Sequence, residues 1–210
     1  MGSDQRSLFI VNPVAAGGKT ARIWPQIEKE LALLDLSFDF IFTEAPLHAT
    51  TLAKEGVEQG FENIVAVGGD GTVNEVVNGL MSPGGQRAEA ALGVVITGRG
   101  SDLARTIGVP ADYSEACARL ADQRTMTVDL GLVEFDQEGE RKQRYFVNVG
   151  GSGFDAEVAH RANRAPNSNH SQCCTPWKSL GNSTHCLAIL THNQRSRNAS
   201  CFNFKTGLTR

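Results

Sequence analysis

The chain has 210 residues, 40% of them hydrophobic, enough for one substantial domain or a domain and part of a second. Its formal net charge of −3 argues against a nucleic-acid partner. No stretch approaches the ~20 apolar residues needed to span a bilayer, and the apolar run in "MGSDQRSLFIVNP" is too short for a secretory signal, so a cytoplasmic location is expected.

In chain order, "SLFIVNP" (Ser7 to Pro13) reads as a buried strand ended by proline, and "VAAGGKT" as a loop of small residues. Ile23, Ile27, Leu31 and Leu34 recur at helical spacing across Ala21 to Leu34. "SFDFIFT" (Ser37 to Thr43) alternates like a strand, and His48 to Glu58 reads as a second helix. "NIVAVGGDG" predicts a third strand and a glycine turn, and Thr72 to Leu80 a helix with Val73, Val76, Val77 and Leu80 on its apolar face. "ALGVVITGRGSDLARTIGVP" predicts a fourth strand, another glycine turn and a short helix, and Tyr113 to Leu120 one helix more. Alternating strands and helices with short, glycine-marked strand ends predict a parallel sheet covered by helices. The three glycine-rich turns follow Val11, Val67 and Ile96, all at the carboxyl edge where such sheets bind ligands.

After about Arg124 the rhythm changes. "TMTVDLGLVEF" alternates with period two, placing Met126, Val128, Leu130 and Leu132 on one face; "DQEGE" turns the chain and "RYFVNVGGSGF" alternates again. An antiparallel hairpin opening a β-rich second domain is expected. Beyond it, residues 158–210 contain no Asp or Glu but seven of the 20 Lys and Arg and four of the five cysteines, so they carry about +7 against about −10 for the first 157. They show no sustained period. The expected organisation is an α/β nucleotide-binding domain over 1–124, the start of an antiparallel β domain over 125–159 that is incomplete, and a poorly ordered, non-matching tail over 160–210.

"IVAVGGDGTVNEVVNGL" (Ile64 to Leu80) carries the chemistry. Gly68, Gly69 and Gly71 let the backbone approach a ligand closely, and the helix that follows offers free N–H groups and the positive end of its dipole to phosphate. Asp70 would repel a phosphate by itself. It makes sense if it holds Mg²⁺ or takes a proton from an attacking hydroxyl. The competing structural reading is a tight strand-to-helix turn with Asp70 as helix cap. In the first loop, "PVAAGGKT" nearly fits G-x-x-x-x-G-K-[ST], but Pro13 replaces the first glycine, which argues against a P-loop NTPase. Lys19 is open between a phosphate contact and a solvated helix start. In "TGRGSD", Arg99 can pair with phosphate, and Asp102 stands between capping the next helix and binding metal through water. Glu75 reads more as a solvated or capping residue than a functional one. His48 and His160 lack partners at metal or triad spacing, and the cysteines lack zinc spacing.

Together, "NPVAAGGKT", "GGDGTVNEVVNGL", "LGVVITGRGSDLARTIGVP" and "VDLGLVEF…RYFVNVGGSGFDAEV" resemble the diacylglycerol-kinase catalytic-domain family, which includes soluble bacterial diacylglycerol kinases and sphingosine and ceramide kinases. The resemblance covers about residues 7–159. It implies a nucleotide domain and a β domain with the active site between them. It also implies transfer of the γ-phosphoryl of ATP, with Mg²⁺, to a lipid hydroxyl at a membrane surface. By match of motif, Asn12, Pro13, Gly17, Gly18, Lys19, Thr43, Gly68, Gly69, Asp70, Gly71, Thr72, Val73, Asn74, Gly98 and Arg99 would line the nucleotide, with Asp70 as the catalytic or metal-linked carboxylate. Bacterial members often carry threonine where this chain has Arg99.

In the family the β domain runs well over a hundred residues further and supplies more Mg²⁺ ligands and a late acidic residue. Nothing here matches after about His160, so weak or absent activity of this chain is expected. Two other readings stand beside the lipid kinase: an NAD kinase-like phosphotransferase, and a nucleotide-binding module without turnover. Membrane contact, where a lipid acceptor is used, would be peripheral.

Overall fold

The computed structural model describes residues 5–81, 89–98 and 102–147 in full and the backbone of 200–205. In chain order the elements are β1 (Ser7–Val11), α1 (Ala15–Leu33), β2 (Phe38–Phe42), α2 (His48–Glu58), β3 (Asn63–Gly68), α3 (Asp70–Leu80), β4 (Ala91–Ile96), α4 (Asp102–Thr106), α5 (Tyr113–Ala121), β5 (Thr125–Gln137), β6 (Glu140–Phe146) and β7 (Ser200–Lys205).

The first four strands form a parallel sheet in the order β2-β1-β3-β4. Every residue of β1 and β3 is buried, which is why they read as unbroken apolar runs. Alternation sorts their side chains into two cores. Phe9, Val11, Val65, Val67 and Val95 meet Trp24, Ile27 and Leu31 of α1 and Cys117 and Leu120 of α5. Leu8, Ile10, Ile64, Ala66 and Val94 meet α2 and α3 on the other face. There α2 and α3 touch closely: a Cβ on Gly79 would collide with the Thr50 carbonyl oxygen and lie 2.7 Å from the Ala53 Cβ. The outer strand β2 keeps its aromatic rings half-exposed, with the Phe40 ring tilted against Trp24 at 4.9 Å between centroids.

The expected hairpin is present. β5 and β6 pair antiparallel from Gly131↔Phe146 to Gln137↔Glu140, turning at Glu138 and Gly139, both at positive φ, the two-residue turn that suits twisted strands. Leu130 is buried and Met126, Val128 and Leu132 pack on the α2–α3 core, the face expected from their spacing.

A difference from the expected poorly ordered tail lies in β7. Its backbone runs parallel to β4, through Leu92↔Phe204, and antiparallel to β5, from Thr125↔Lys205 to Leu130↔Ser200. The sheet order becomes β2-β1-β3-β4-β7-β5-β6. "SCFNFK" alternates over only six residues, too short a pattern to stand out, and the strand is completed by backbone partners on both sides. The remainder of 160–210, and the segment 148–159 expected to continue the hairpin, lie outside the described residues. No helix among the described residues is long and apolar enough to cross a membrane.

Candidate active site

The carboxyl edge of the parallel sheet gathers the loops singled out above. Each strand hands its ladder to the next loop: Asn12 N–H donates to Val67 O at 2.9 Å, Thr43 N–H to Val11 O at 2.9 Å, and Thr97 N–H to Gly68 O at 3.1 Å. Asn12, Thr43, Gly68 and Thr97 therefore stand side by side. Side chains lock the loops further. The Asn12 Nδ2 donates to Thr72 Oγ1 at 3.0 Å, and its Oδ1 accepts from Val14 N–H at 3.2 Å. The hydroxyls of Thr20 and Thr97, both buried, share a 2.6 Å hydrogen bond.

Between these ties, Ala16, Gly17 and Gly18 take left-handed conformations at φ 53°, 66° and 81° inside the first turn of α1, so the regular helix starts only after them. A Cβ on Gly17 or Gly18 would meet nothing within 4 Å, so it is backbone conformation that asks for glycine there. The space beside the loop is left open.

The β3–α3 turn is the other wall. Gly68 is tight: a Cβ there would lie 2.5 Å from Thr72 Oγ1. Gly69 is open, with nothing within 4 Å, and it occupies the N-cap of α3 in extended conformation. Asp70 is the first helical residue, two positions before the expected start, so the capping position belongs to Gly69 and not to Asp70. Val73 N–H bonds back to Gly69 O at 3.1 Å. The N–H groups before it, in the first turn, have no helical carbonyl to reach and suit an anion. The arrangement can hold phosphate oxygens on backbone donors with one half-buried carboxylate, Asp70, at their edge.

The model of the family described as "Diacylglycerol kinase catalytic domain" matches residues 6–133. The chain belongs to that family. It is 36% identical over 141 residues to a diacylglycerol kinase of Bacillus subtilis, covering 63% of this chain and 43% of that one. It is 30% identical over 156 residues to a diacylglycerol kinase of Staphylococcus epidermidis, covering 74% and 46%. A crystal structure of a diacylglycerol kinase from Bacillus anthracis superposes with a TM-score of 0.53 at 24% identity, over 68% of this chain and 61% of that one, a likeness of fold. The chain spans about half the length of the relatives it matches.

In this diacylglycerol kinase catalytic domain α3 also grips its neighbours at its far end. The Glu75 carboxylate accepts hydrogen bonds from the Leu47 and Ala49 backbone, capping α2, whose own cap position, Leu47, is left-handed and has no side-chain cap. Burial raises the Glu75 carboxyl above its ordinary value, partly offset by those bonds and by Arg144 and His48. Asn78 reaches β6: its Nδ2 donates to Tyr145 O at 2.8 Å and its Oδ1 accepts from Tyr145 N–H at 2.9 Å. Beside it, burial lowers the Arg144 guanidinium below its usual range, and its Nε has no hydrogen-bond partner among the described residues.

Of the other candidates, Val73 is fully buried in the core, so only its backbone faces the loop edge. Lys19 is exposed, while Pro13, Asn74 and Gly98 are half-buried at the same edge. Asp102 begins α4 and pairs with Arg105. His48 Nδ1 accepts from Glu44 N–H at 3.1 Å, holding the loop before α2. Arg99 and His160 lie outside the described residues. Asn78 was missed by sequence reasoning; its one signal is an amide in a helix otherwise lined by valines.

Proposed function

We propose that this chain forms the nucleotide side of an ATP-dependent lipid kinase, moving the γ-phosphoryl of ATP to a diacylglycerol- or sphingoid-like hydroxyl. The observation that supports it is the glycine turn opening α3, with Asp70 as first helical residue beside the left-handed loop of Gly17 and Gly18. In the transfer the lipid oxygen forms a bond to the γ-phosphorus, the bond to the bridging oxygen breaks, ADP leaves, and the hydroxyl loses its proton. Asp70 is the carboxylate to take that proton or to hold Mg²⁺.

The residues present fit the nucleotide. Open space at Gly69 and backbone donors in the first turn of α3 accommodate phosphate where a side chain would intrude. No cluster of three or more His, Cys, Asp or Glu occurs among the described residues. A single carboxylate matches the way Mg²⁺ is held, by one or two protein carboxylates and the substrate phosphates. Mg²⁺, when bound, neutralises charge on the β- and γ-phosphates. Asn12, Lys19 and Thr43 would orient the phosphates, and Arg99 belongs to the same set by motif. A lipid acceptor places the working protein peripherally at a membrane on its cytoplasmic side.

The test is transfer of labelled phosphate from ATP with Mg²⁺ to lipids in mixed micelles, with NAD as an added acceptor. Label in a lipid is the expected result. Label in NAD alone would replace the reading by an NAD kinase-like one, and bound ATP without transfer would leave a nucleotide-binding module.

A further inference from the structure

We propose that Glu75 of α3 and Arg144 of β6 are a pair of positioning residues. They hold the loop from Thr43 to Leu47 in the shape that receives the nucleotide, so that the β5–β6 hairpin helps to set the affinity for ATP. The inference rests on the carboxyl edge of the sheet being an ATP site. The loop needs holding. Leu47 stands at φ 68°, a conformation that a bulky side chain rarely adopts. Its side chain is 46% exposed, so packing supplies little of the restraint. Hydrogen bonds supply it instead. The Glu75 carboxylate accepts from the backbone N–H groups of Leu47 and Ala49, and Thr50 Oγ1 donates to the Glu75 carbonyl oxygen at 2.9 Å. Glu75 therefore grips the first turn of α2 by its side chain and by its backbone. At the other end of the loop, Thr43 N–H is fixed to Val11 O, and Glu44 N–H closes onto His48 Nδ1 at 3.1 Å. Thr43 and Leu47 are thus the two anchors of one short loop, and loosening Leu47 frees the chain that follows Thr43.

What steadies Glu75 comes from the hairpin. Glu75 and Asn78 stand three residues apart and share a face of α3, and Asn78 bonds both backbone groups of Tyr145. Arg144, the preceding residue of β6, is thereby brought within electrostatic reach of Glu75. Both side chains are half-buried, where charges act on each other more strongly than in water. No salt bridge joins the two among the described residues, and Arg144 Nε has no hydrogen-bond partner there. Arg144 therefore acts on Glu75 through its charge rather than through a direct bond. A positive charge beside the carboxyl favours its ionised form, and an ionised acceptor bonds backbone N–H groups more strongly than a neutral one. His48 acts on Glu75 in the same sense.

The experiment uses the full 210-residue chain at mildly alkaline pH and has two readouts. One is amide hydrogen exchange at Leu47 and Ala49, followed by NMR without nucleotide. The other is affinity for a fluorescent ATP analogue with Mg²⁺. In Arg144→Gln, exchange at both amides should speed up roughly tenfold and the analogue should bind roughly tenfold more weakly. Arg144→Lys keeps the charge and should restore both towards the parent. Glu75→Gln keeps an acceptor without its charge and should weaken binding by a similar factor. Adding Arg144→Gln to Glu75→Gln should then change little, whereas a separate structural role for Arg144 would add a loss of its own. Parental exchange at Leu47 and Ala49 in a folded Arg144→Gln overturns the proposal. Faster exchange with unchanged affinity overturns it too, because the hairpin would then not reach the nucleotide. Should Arg144→Gln fail to fold, Glu75→Gln decides: parental exchange and affinity in that variant overturn the proposal. A parent that binds no analogue removes the ATP reading and the claim on affinity with it, while the exchange rates still decide whether the pair holds the loop.

Discussion

Asn12 and Thr72, sixty residues apart in the chain, are joined by one 3.0 Å hydrogen bond that ties the loop after β1 to the first turn of α3. Both atoms of the Asn12 amide are engaged, since Oδ1 also takes the Val14 N–H. Thr72 in turn presses on Gly68, which has no room for a Cβ. The two walls of the proposed phosphate site are therefore one mechanical unit.

Asn12→Ala removes both bonds and leaves the buried Thr72 hydroxyl without that donor. The expected loss is about 1–3 kcal/mol of unfolding free energy, read by urea denaturation, together with weaker binding of an ATP analogue. Unchanged nucleotide affinity in a destabilised variant would restrict Asn12 to a structural role.

Asp70→Asn keeps the shape of the side chain while removing its charge and its ability to take a proton. Phosphoryl transfer should fall at least about a hundredfold, with thermal unfolding little changed because Gly69 holds the N-cap position of α3. A fully active Asp70→Asn enzyme would show that the carboxylate takes no part in the chemistry.

Two glycines of the same segment should respond in opposite ways. Gly79→Ala drives a methyl group into the Thr50 carbonyl and Ala53. It should destabilise by about 1–3 kcal/mol, outweighing the roughly 1 kcal/mol helix-propensity gain of alanine. Gly69→Ala meets no protein atom within 4 Å. It should leave the melting temperature nearly unchanged and weaken ATP binding, since the methyl group occupies the space assigned to phosphate. Equal affinity in Gly69→Ala and the parent would place the phosphates elsewhere.

Glu75 gives the fold a pH dependence of definite sign. Its folded pKa is raised above the ordinary 4.5, chiefly by burial. The native state thus binds the proton more tightly than the unfolded chain does. This contribution to stability is fully present below pH 4.5 and is lost as pH rises through the raised folded value. Glu75→Gln, which can still accept from the α2 backbone, should flatten the stability profile across that window. Parallel profiles for the variant and the parent would show that the carboxyl is not buried in solution.

Local patterns carried much of the fold into the sequence. The apolar runs of β1 and β3, the spacing of Ile23, Ile27 and Leu31, and the alternation of Met126 to Leu132 each report which face is buried, and each is a property of neighbouring residues. The start of α3 was less legible, because glycine and aspartate fit a loop as readily as a first turn. The position of Glu75 was open for another reason: what it caps is the end of a different helix, Leu47 and Ala49, which the chain brings close only by folding. Asn12 and Thr72 both stand out by motif, but the bond between them is visible only in the fold. β7 was illegible because a six-residue strand completed by backbone bonds to β4 and β5 leaves little trace in side-chain pattern.

Asn78 has one more consequence. A two-stranded hairpin can slide by two residues and keep the same faces in and out, so its own alternation does not fix its alignment. Besides its bond to the Asn74 carbonyl on its own helix, Asn78 receives the N–H of one β6 residue, Tyr145, and donates to its carbonyl. Any slip of β6 would break both bonds at once. The alignment of the hairpin is thus set by a helix that crosses it, acting as a ratchet pawl acts on a single tooth.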